Sequence, residues 1–480
     1  MKGITPILDS TSERPLYLQL YDYIKNGILS GELPPREKLP SLRNLARSTS
    51  LSLTTVQLAY SQLVMEGYLT SKPNSGYYIN EIFYGLEKSG GEVSSSDDEM
   101  SILHYSQQHE EESDSPDKHF LYDMGCFDFT KWKKCMNRVF NEQAPELLFV
   151  SDPQGELPLR KEIAKYLYGA RGVSCRPEQI LIGAGTQQIT SYLASILQMN
   201  GIRNVSLEEP GYLPVKSILR DREFLMTPVP MGPDGIQIEK LPSNIRSAVY
   251  VSPSSQFPTG SVMSIAKRYE LLDWAAKNNS IIIEDDYDSE LRYSGNTVPA
   301  LQGLRKQENV VYLGSFSSTL FASIKISYMV LPMSMTGMLE NIMTGYTQTC
   351  SKAEQLTLAS FMAQGYYQTG IKRLRNLYSQ KLQAVVSAIK KHGDDFITPA
   401  STSSGTNMLL EIKSKKGTEE LCGDAEALGV TATGAGRFWE EGQSGSGVSS
   451  GVRSIILYYV RIPLDEIPGI IGKLIKKWRG

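Results

Sequence analysis

The sequence predicts a two-part α/β protein: a small head of short helices closed by a hairpin, then a much larger body built on a mostly parallel sheet. Three observations carry this expectation. At 480 residues the chain exceeds what one hydrophobic core usually organises, so two or more domains are expected. From about His119 onward, apolar strand-like segments alternate with helical stretches, the pattern of parallel strands joined by crossover helices. Between the two parts, Glu87 to Asp117 is rich in Ser, Glu, Asp, Gln and Gly and nearly free of periodic apolar residues, leaving too little burial to offset ordering entropy. The expected divisions are a head over 1–82, a flexible acidic linker over 83–118 and a body over 119–480, with a small α+β subdomain from about 370.

In the head, Tyr17, Leu20, Tyr21, Ile24 and Ile28 fall at helical spacing, so a first amphipathic helix should end near Gly31. Ser41 caps a short second helix through Ala46, and Ser52 caps a third whose buried stripe is Val56, Ala59, Tyr60 and Leu63. Thr54, Thr55 and Gln57 then stand at the N-terminal end of the third helix, where free N–H groups and short polar side chains suit phosphates and base edges. Tyr68-Leu69-Thr70 and Tyr77-Tyr78-Ile79 flank Lys72-Pro73-Asn74-Ser75-Gly76 and read as a hairpin wing. Three helices and a wing make a winged helix-turn-helix, although a small helical domain used for protein contact has similar local patterns.

Composition removes other classes. Hydrophobic residues at 41% and charged residues at 21% are ordinary, and no apolar run approaches the roughly 20 residues of a spanning helix. Met1 to Ser12 lacks the apolar core of a signal peptide. Cys126, Cys135, Cys175, Cys350 and Cys422 are scattered without a C-x-x-C pair, and His104, His109, His119 and His392 show no metal spacing. A cytoplasmic protein with reduced thiols and no metal is expected. A net charge of −3 means that affinity for DNA must come from local placement of cations.

In the body, strands are expected at Gln179–Ile182, Asn204–Leu207, Ala248–Ser252, Ser280–Ile283, Val310–Leu313 and Ile326–Val330. Ligands collect at the carboxyl ends of such strands, and the unusual residues fall there. Gly183-Ala184-Gly185-Thr186-Gln187-Gln188 follows a strand and opens a helix, an arrangement suited to a phosphate. Glu208-Glu209-Pro210-Gly211-Tyr212 puts an aromatic ring after the next strand, Ser252 to Gly260 forms a polar turn, and Glu284-Asp285-Asp286-Tyr287-Asp288 puts acids at a strand end.

The head run KLPSLRNLARSTSLSLTTVQLAYSQLVMEGYLTSKPNSGYYI resembles the GntR-type winged helix across most of residues 12–80. That resemblance implies that Arg43, Ser52, Thr54, Thr55, Gln57, Lys72, Asn74, Ser75 and Gly76 meet double-stranded operator DNA. Leu53 and Gln57 depart from it, standing where arginines are common. The body, through RGVSCRPEQILIGAGTQQ, EEPGY and IIIEDDYDSELRY, resembles fold-type-I aminotransferases, and within them the MocR branch of regulators, from about Asp123 to Trp478. A pyridoxal phosphate site is thereby implied: Gly185, Thr186, Gln187 and Lys325 around the phosphate, Ser315 and Ser317 also binding the cofactor, Asp285 at the pyridine nitrogen, Tyr287 at the ring hydroxyl, Tyr212 on the ring face and Arg461 on a ligand carboxylate. Taken singly, Tyr212 also reads as a core aromatic, Asp285 as a cap and Arg461 as a surface ion pair.

One departure changes the expected chemistry. In Gly314-Ser315-Phe316-Ser317-Ser318-Thr319-Leu320-Phe321-Ala322-Ser323-Ile324-Lys325, Ser318 occupies the position of the family's Schiff-base lysine and Lys325 that of a phosphate-binding arginine. A hydroxyl can neither capture the cofactor aldehyde nor shuttle a proton as a free amine does, so no catalytic residue is expected and cofactor binding should be non-covalent. The expectation is a ligand-responsive regulator acting as a homodimer that exchanges its heads head to tail. A working aminotransferase with a regulatory head and a pure dimerisation scaffold are the alternatives.

Overall fold

A computed structural model describes residues 15–49, 51–65, 68–72, 76–80, 127–293, 298–304, 308–402, 404–439 and 451–479. The chain divides into two compact units, one within residues 1–114 and one within 115–480. The expected linker over 83–118 lies outside the described residues, as do Asn74, Ser75 and Cys126.

The first unit contains α1 (Leu16–Leu29), α2 (Leu42–Thr49), α3 (Leu53–Met65), β1 (Leu69–Lys72) and β2 (Gly76–Ile79). Leu20, Ile24, Leu45, Val56, Ala59, Tyr60 and Leu63 are fully buried together, so the expected apolar stripes of α1 and α3 do close one small core. Tyr17, counted on the α1 stripe, is half-buried at its edge. The second helix continues a turn beyond Ala46, and Ser48 and Thr49 bond back to the Leu45 carbonyl. The two strands pair antiparallel with Leu69 opposite Ile79.

The second unit begins with α4 (Phe129–Glu142) and α5 (Leu157–Arg171). Its main sheet is built from β3 (Ile180–Ala184), β4 (Asn204–Glu209), β5 (Leu225–Gly232), β6 (Gly235–Ile236), β7 (Ala248–Val251), β8 (Ile281–Asp285), β9 (Val310–Ser315) and β10 (Ile326–Val330), in the spatial order β3-β10-β9-β8-β7-β4-β5-β6. Strands β9, β8, β7, β4 and β5 run parallel, whereas β10 is antiparallel to both neighbours. All six expected strands are present, and the antiparallel set of β10 is what periodicity does not reveal, because a strand buried on both faces reads the same in either direction. Between the strands lie α6 (Gly185–Met199) after β3, α7 (Leu213–Asp221) after β4 and α8 (Ile265–Lys277) after β7. Alternation along β8 shows how the sheet is covered: Ile281 and Ile283 join the core under α6, and Ile282 joins Leu271, Leu272 and Ala275 of α8 on the other face.

Beyond the sheet come α9 (Thr336–Met343), α10 (Lys352–Ala363) and the long α11 (Tyr366–His392). A second, antiparallel sheet of β11 (Ile397–Pro399), β12 (Met408–Lys413), β13 (Ala432–Gly434) and β14 (Val452–Leu457) has the order β11-β12-β14-β13. With α12 (Thr418–Glu426) and α13 (Ile467–Arg479), it buries Leu382, Val385, Leu410, Ile455, Leu474 and Trp478 in a core of its own.

Candidate nucleic-acid interface and effector cleft

In the first unit, capping sets the recognition geometry. Ser52 Oγ accepts the Thr55 N–H at 3.0 Å and lies 2.7 Å from the Thr55 hydroxyl, so these two residues hold the start of α3. Thr54 and Gln57 are exposed beside them, and Arg43 is exposed one residue inside α2, where Ser41 Oγ accepts the Asn44 N–H at 3.3 Å. On the wing, Lys72 is exposed with its Nζ 4.8 Å from the centre of the Tyr78 ring. Gly76 has φ +110°, and a Cβ there would lie 3.1 Å from Lys38 Cε, so glycine is required to turn the strand.

In the second unit, period-two alternation sorts the acids at the end of β8. Glu284 and Asp286 face one side and Asp285 the other. Glu284 accepts the Leu301 and Gln302 N–H groups at 2.7 and 3.1 Å and caps a one-turn helix. Asp286 is locked by the Arg171 guanidinium at 2.6 and 2.9 Å, with Ser254 at 2.7 Å and the Tyr312 hydroxyl also donating. Burial alone would raise this carboxyl, but Arg171 holds it below its ordinary range. Those two acids are structural.

Asp285 meets the Tyr250 hydroxyl. Burial pushes its carboxyl up to about 6, against the pull of that hydroxyl. Tyr250 lines a pocket with Glu208, Gly211, Tyr212, Lys216, Ser252 and Phe257. Burial raises the Glu208 carboxyl to about 8, and its Oε1 has no hydrogen-bond partner among the described residues. Lys216 is buried in an ion pair with Glu209. Tyr212 heads α7, half-buried, with its ring edge-on to Phe257 at 6.2 Å.

The antiparallel β10 brings the other candidates together. Ile326 lies opposite Ala184 and Ser327 opposite Ser315, so the turn into α6 and the end of β9 meet at one edge. Ser315 Oγ accepts the Ser317 N–H at 3.3 Å and the Ser327 hydroxyl at 2.9 Å. Gly185 opens the 15-residue α6 with φ +85°; its free N–H end suits an anion. A Cβ on Gly185 would come 3.9 Å from Lys325 Cδ, which places Lys325 on this side. Lys325 is itself exposed, with φ +47°.

Ser318 is 7% exposed and lies by Asp288. Burial pushes the Asp288 carboxyl up to about 6, opposed by the hydroxyls of Tyr287, Thr406 and Ser318 around it. Thr406 donates to Asp288 at 3.1 Å and lies 3.3 Å from the Tyr287 hydroxyl; Asp288 Oδ1 has no partner among the described residues. Arg461, just after β14, donates through Nη1 to Thr431 at 2.7 Å, while its Nε and Nη2 are buried without partners among the described residues. Two open donors of a partly desolvated guanidinium have the geometry to bind a carboxylate.

The structure therefore groups Asp285, Tyr212 and Tyr250, groups Gly185, Lys325, Ser315 and Ser317, and sets Tyr287 with Ser318. Sequence reading missed Tyr250, which stands in an apolar strand, and Thr406, and it noted Asp288 among the strand-end acids without giving it a role. Thr406 follows Tyr287 by more than a hundred residues with no local signal. The described residues hold no cluster able to bind a metal, and none of the helices among them is long and apolar enough to cross a membrane.

A winged helix-turn-helix joined to an aminotransferase-type body defines a class of DNA-binding transcription regulator. Residues 16–79 match the bacterial regulatory proteins of the gntR family, and residues 119–414 match the class I and II aminotransferases. The chain is 39% identical over 432 residues to YdeL of Bacillus subtilis (strain 168), described as an uncharacterized HTH-type transcriptional regulator, covering 89% of this chain and 90% of that one. It is 30% identical to the probable rhizopine catabolism regulatory protein MocR of Rhizobium meliloti, covering 88% and 87%. It is 28% identical to the pyridoxine biosynthesis regulator PdxR of Corynebacterium glutamicum, covering 90% of each. Among solved structures, kynurenine aminotransferase of Pyrococcus horikoshii superposes with a TM-score of 0.65 at 21% identity, covering 82% of this chain and 98% of that one; this likeness shows the fold. The chain belongs to the MocR-type regulators of the gntR family.

Proposed function

We propose that this regulator senses a small anionic amine in a degenerate aminotransferase cleft: pyridoxal phosphate, an amino-acid adduct of it, or a ligand of like charge, held without a covalent bond. The residues fit such a ligand, because Arg461 keeps two buried donors open while Asp285 and the start of α6 supply an acid and a positive helix end. Gly185, Thr186, Gln187, Ser315, Ser317 and Lys325 would hold the phosphate, Asp285 the ring nitrogen, Tyr287 the ring hydroxyl, Tyr212 the ring face and Arg461 the carboxylate. When bound, the cofactor ring supplies an electron sink. The carrying observation is Ser318, which offers no amine where the family's lysine stands.

In this reading the body performs no transamination. Lys325 is a poor replacement nucleophile, since it lies beside Gly185 on the side assigned to the phosphate. A ligand touching both Arg461 and Asp285 would favour the arrangement that brings them together, and differential affinity for that arrangement is the signal passed to the DNA. We further propose a homodimer whose heads are exchanged between protomers, so that two heads read two half-sites.

The test is thermal melting of the full chain with pyridoxal phosphate, pyridoxamine phosphate and preformed amino-acid adducts, run beside binding to the DNA flanking its coding region. A raised Tm with at least one ligand and a ligand-dependent change in DNA affinity are expected. No shift with any of them would leave the body as a dimerisation scaffold.

A further inference from the structure

The outward side of α3 has an unusual chemistry. Val56, Ala59, Tyr60 and Leu63 are completely buried, which leaves Leu53, Thr54, Gln57, Leu58 and Ser61 exposed. At spacings of i, i+1, i+4, i+5 and i+8 these form one continuous strip along the helix. Leu53 is 45% and Leu58 50% exposed. Scattered surface leucines need no explanation; two on the strip that a winged helix inserts into DNA do.

The strip carries no charge, and neither does any other position of α3. The cations stand around it: Arg43 and Arg47 on α2, Lys38 before it and Lys72 on the wing are all exposed. Peripheral cations serve phosphates and set affinity and register, whereas the groups on the strip meet base edges. In the major groove, guanine offers two acceptors that call for an arginine or lysine fork. Adenine N6 and N7 match the donor and acceptor of a glutamine amide, and the thymine methyl takes an apolar contact. A strip offering leucine, glutamine and hydroxyls has no cationic fork for guanine's paired acceptors, only single neutral donors, and has a matched partner for each base of an A·T pair.

We propose that Leu53 and Gln57, one turn apart at the start of α3, are specificity-determining residues that select A·T pairs in the operator half-site. Leu53 packs on a thymine methyl and Gln57 bonds to an adenine edge, with Leu58 adding apolar contact further along the groove. The proposal rests on the assignment of α3 as the recognition helix.

The experiment uses the full-length protein. Duplexes are selected from a random pool, and the selected site is then resynthesised with deoxyuridine replacing individual thymidines, which removes the methyl and keeps the base pairing. Affinity is read by fluorescence anisotropy at fixed salt. The expected result is a half-site core of A·T pairs, with about a fourfold loss on removing the contacted methyl, the worth of roughly one buried methylene. Leu53→Ala should bind the two duplexes equally, and Leu53→Arg should shift selection toward guanine; both changes are at an exposed position and leave the fold intact. Guanine-rich selection by the wild type, or unchanged affinity at every uridine, overturns the proposal while leaving DNA binding in place. Failure to enrich any duplex overturns the recognition-helix assignment itself, and the proposal with it.

Discussion

Substituting Ser318→Lys tests whether the cleft presents a bound ring to the position proposed to match the family's Schiff-base lysine. The side chain is 7% exposed, so the added methylenes enter a packed region at a cost of about 1–3 kcal/mol. Desolvating the new ammonium costs several kcal/mol more, but Asp288 lies beside it with an unpartnered Oδ1, and a pair of unit charges at about 4 Å is worth about 4 kcal/mol at an effective dielectric of about 20. The net change is small against the roughly 5–15 kcal/mol by which domains are stable. The variant therefore folds, with a Tm lower by several degrees at most. After incubation with pyridoxal phosphate, borohydride reduction and desalting, mass spectrometry should find near-stoichiometric pyridoxyl on residue 318 of the variant and none on the cleft of the wild type. A folded variant that retains no more than the wild type would show that the cleft no longer holds the ring against this position. Reduced pyridoxyl on Lys325 or Lys216 of the wild type would refute the non-covalent reading outright.

Two further outcomes follow from the acids. Asp285 has its carboxyl raised to about 6, and only the ionised form pairs with a protonated ring nitrogen. Below pH 6 a proton must leave before that pairing forms, so pyridoxal phosphate affinity should fall by up to about tenfold per pH unit as the pH drops; Asp288 and the ligand phosphate titrate nearby, so calorimetry from pH 5 to 8 should compare slopes, and Asp285→Asn should be flatter than the wild type. Replacing Arg171→Met leaves Asp286 buried with the Ser254 and Tyr312 hydroxyls but no cation, which should cost about 3–5 kcal/mol in denaturant unfolding; a loss under about 1 kcal/mol would mean that the hydroxyls alone hold the carboxylate.

Most of the fold was legible because its signals are local. The α3 stripe and its Ser52 cap lie within a dozen residues, and each main-sheet strand is an apolar run bounded by turn residues. The direction of β10 was not legible, because hydrophobic patterning carries no sign for a doubly buried strand. The same limit governs the cleft. Residues at strand ends announce themselves by being polar next to apolar runs, as Asp285 and Ser315 do. Partners supplied by the second sheet do not: Thr406 reaches Tyr287 and Asp288 only once β12 has paired with β14. Even within Glu284-Asp285-Asp286, composition treats three acids alike, and alternation at the end of β8 divides them between a helix cap, a guanidinium lock and the cleft.

Buried polar atoms without partners on a few of the described residues support the proposal that the cleft binds a ligand. A buried polar atom without a partner costs about 1–3 kcal/mol, and more when charged. Asp286 and Arg171 show how this chain meets that cost when a group is purely structural: every oxygen of the carboxylate is bonded, and the guanidinium also reaches Ser254 and the Val298 carbonyl. Arg461 Nε and Nη2, Asp288 Oδ1 and Glu208 Oε1 are left open instead among the described residues, on residues in or beside the proposed cleft, with Asp288 next to Ser318. A body kept only as a dimerisation scaffold would gain stability from apolar replacements at these positions. Open donors at Arg461 and an open acceptor at Asp288 would suit a ligand carrying both an anion and a hydrogen-bond donor, and such a ligand would stabilise the folded body in proportion to the logarithm of its concentration above Kd. If Arg461→Met and Asp288→Leu each raised the melting temperature of the free protein and left ligand-induced stabilisation unchanged, the openness of these atoms would be incidental to binding.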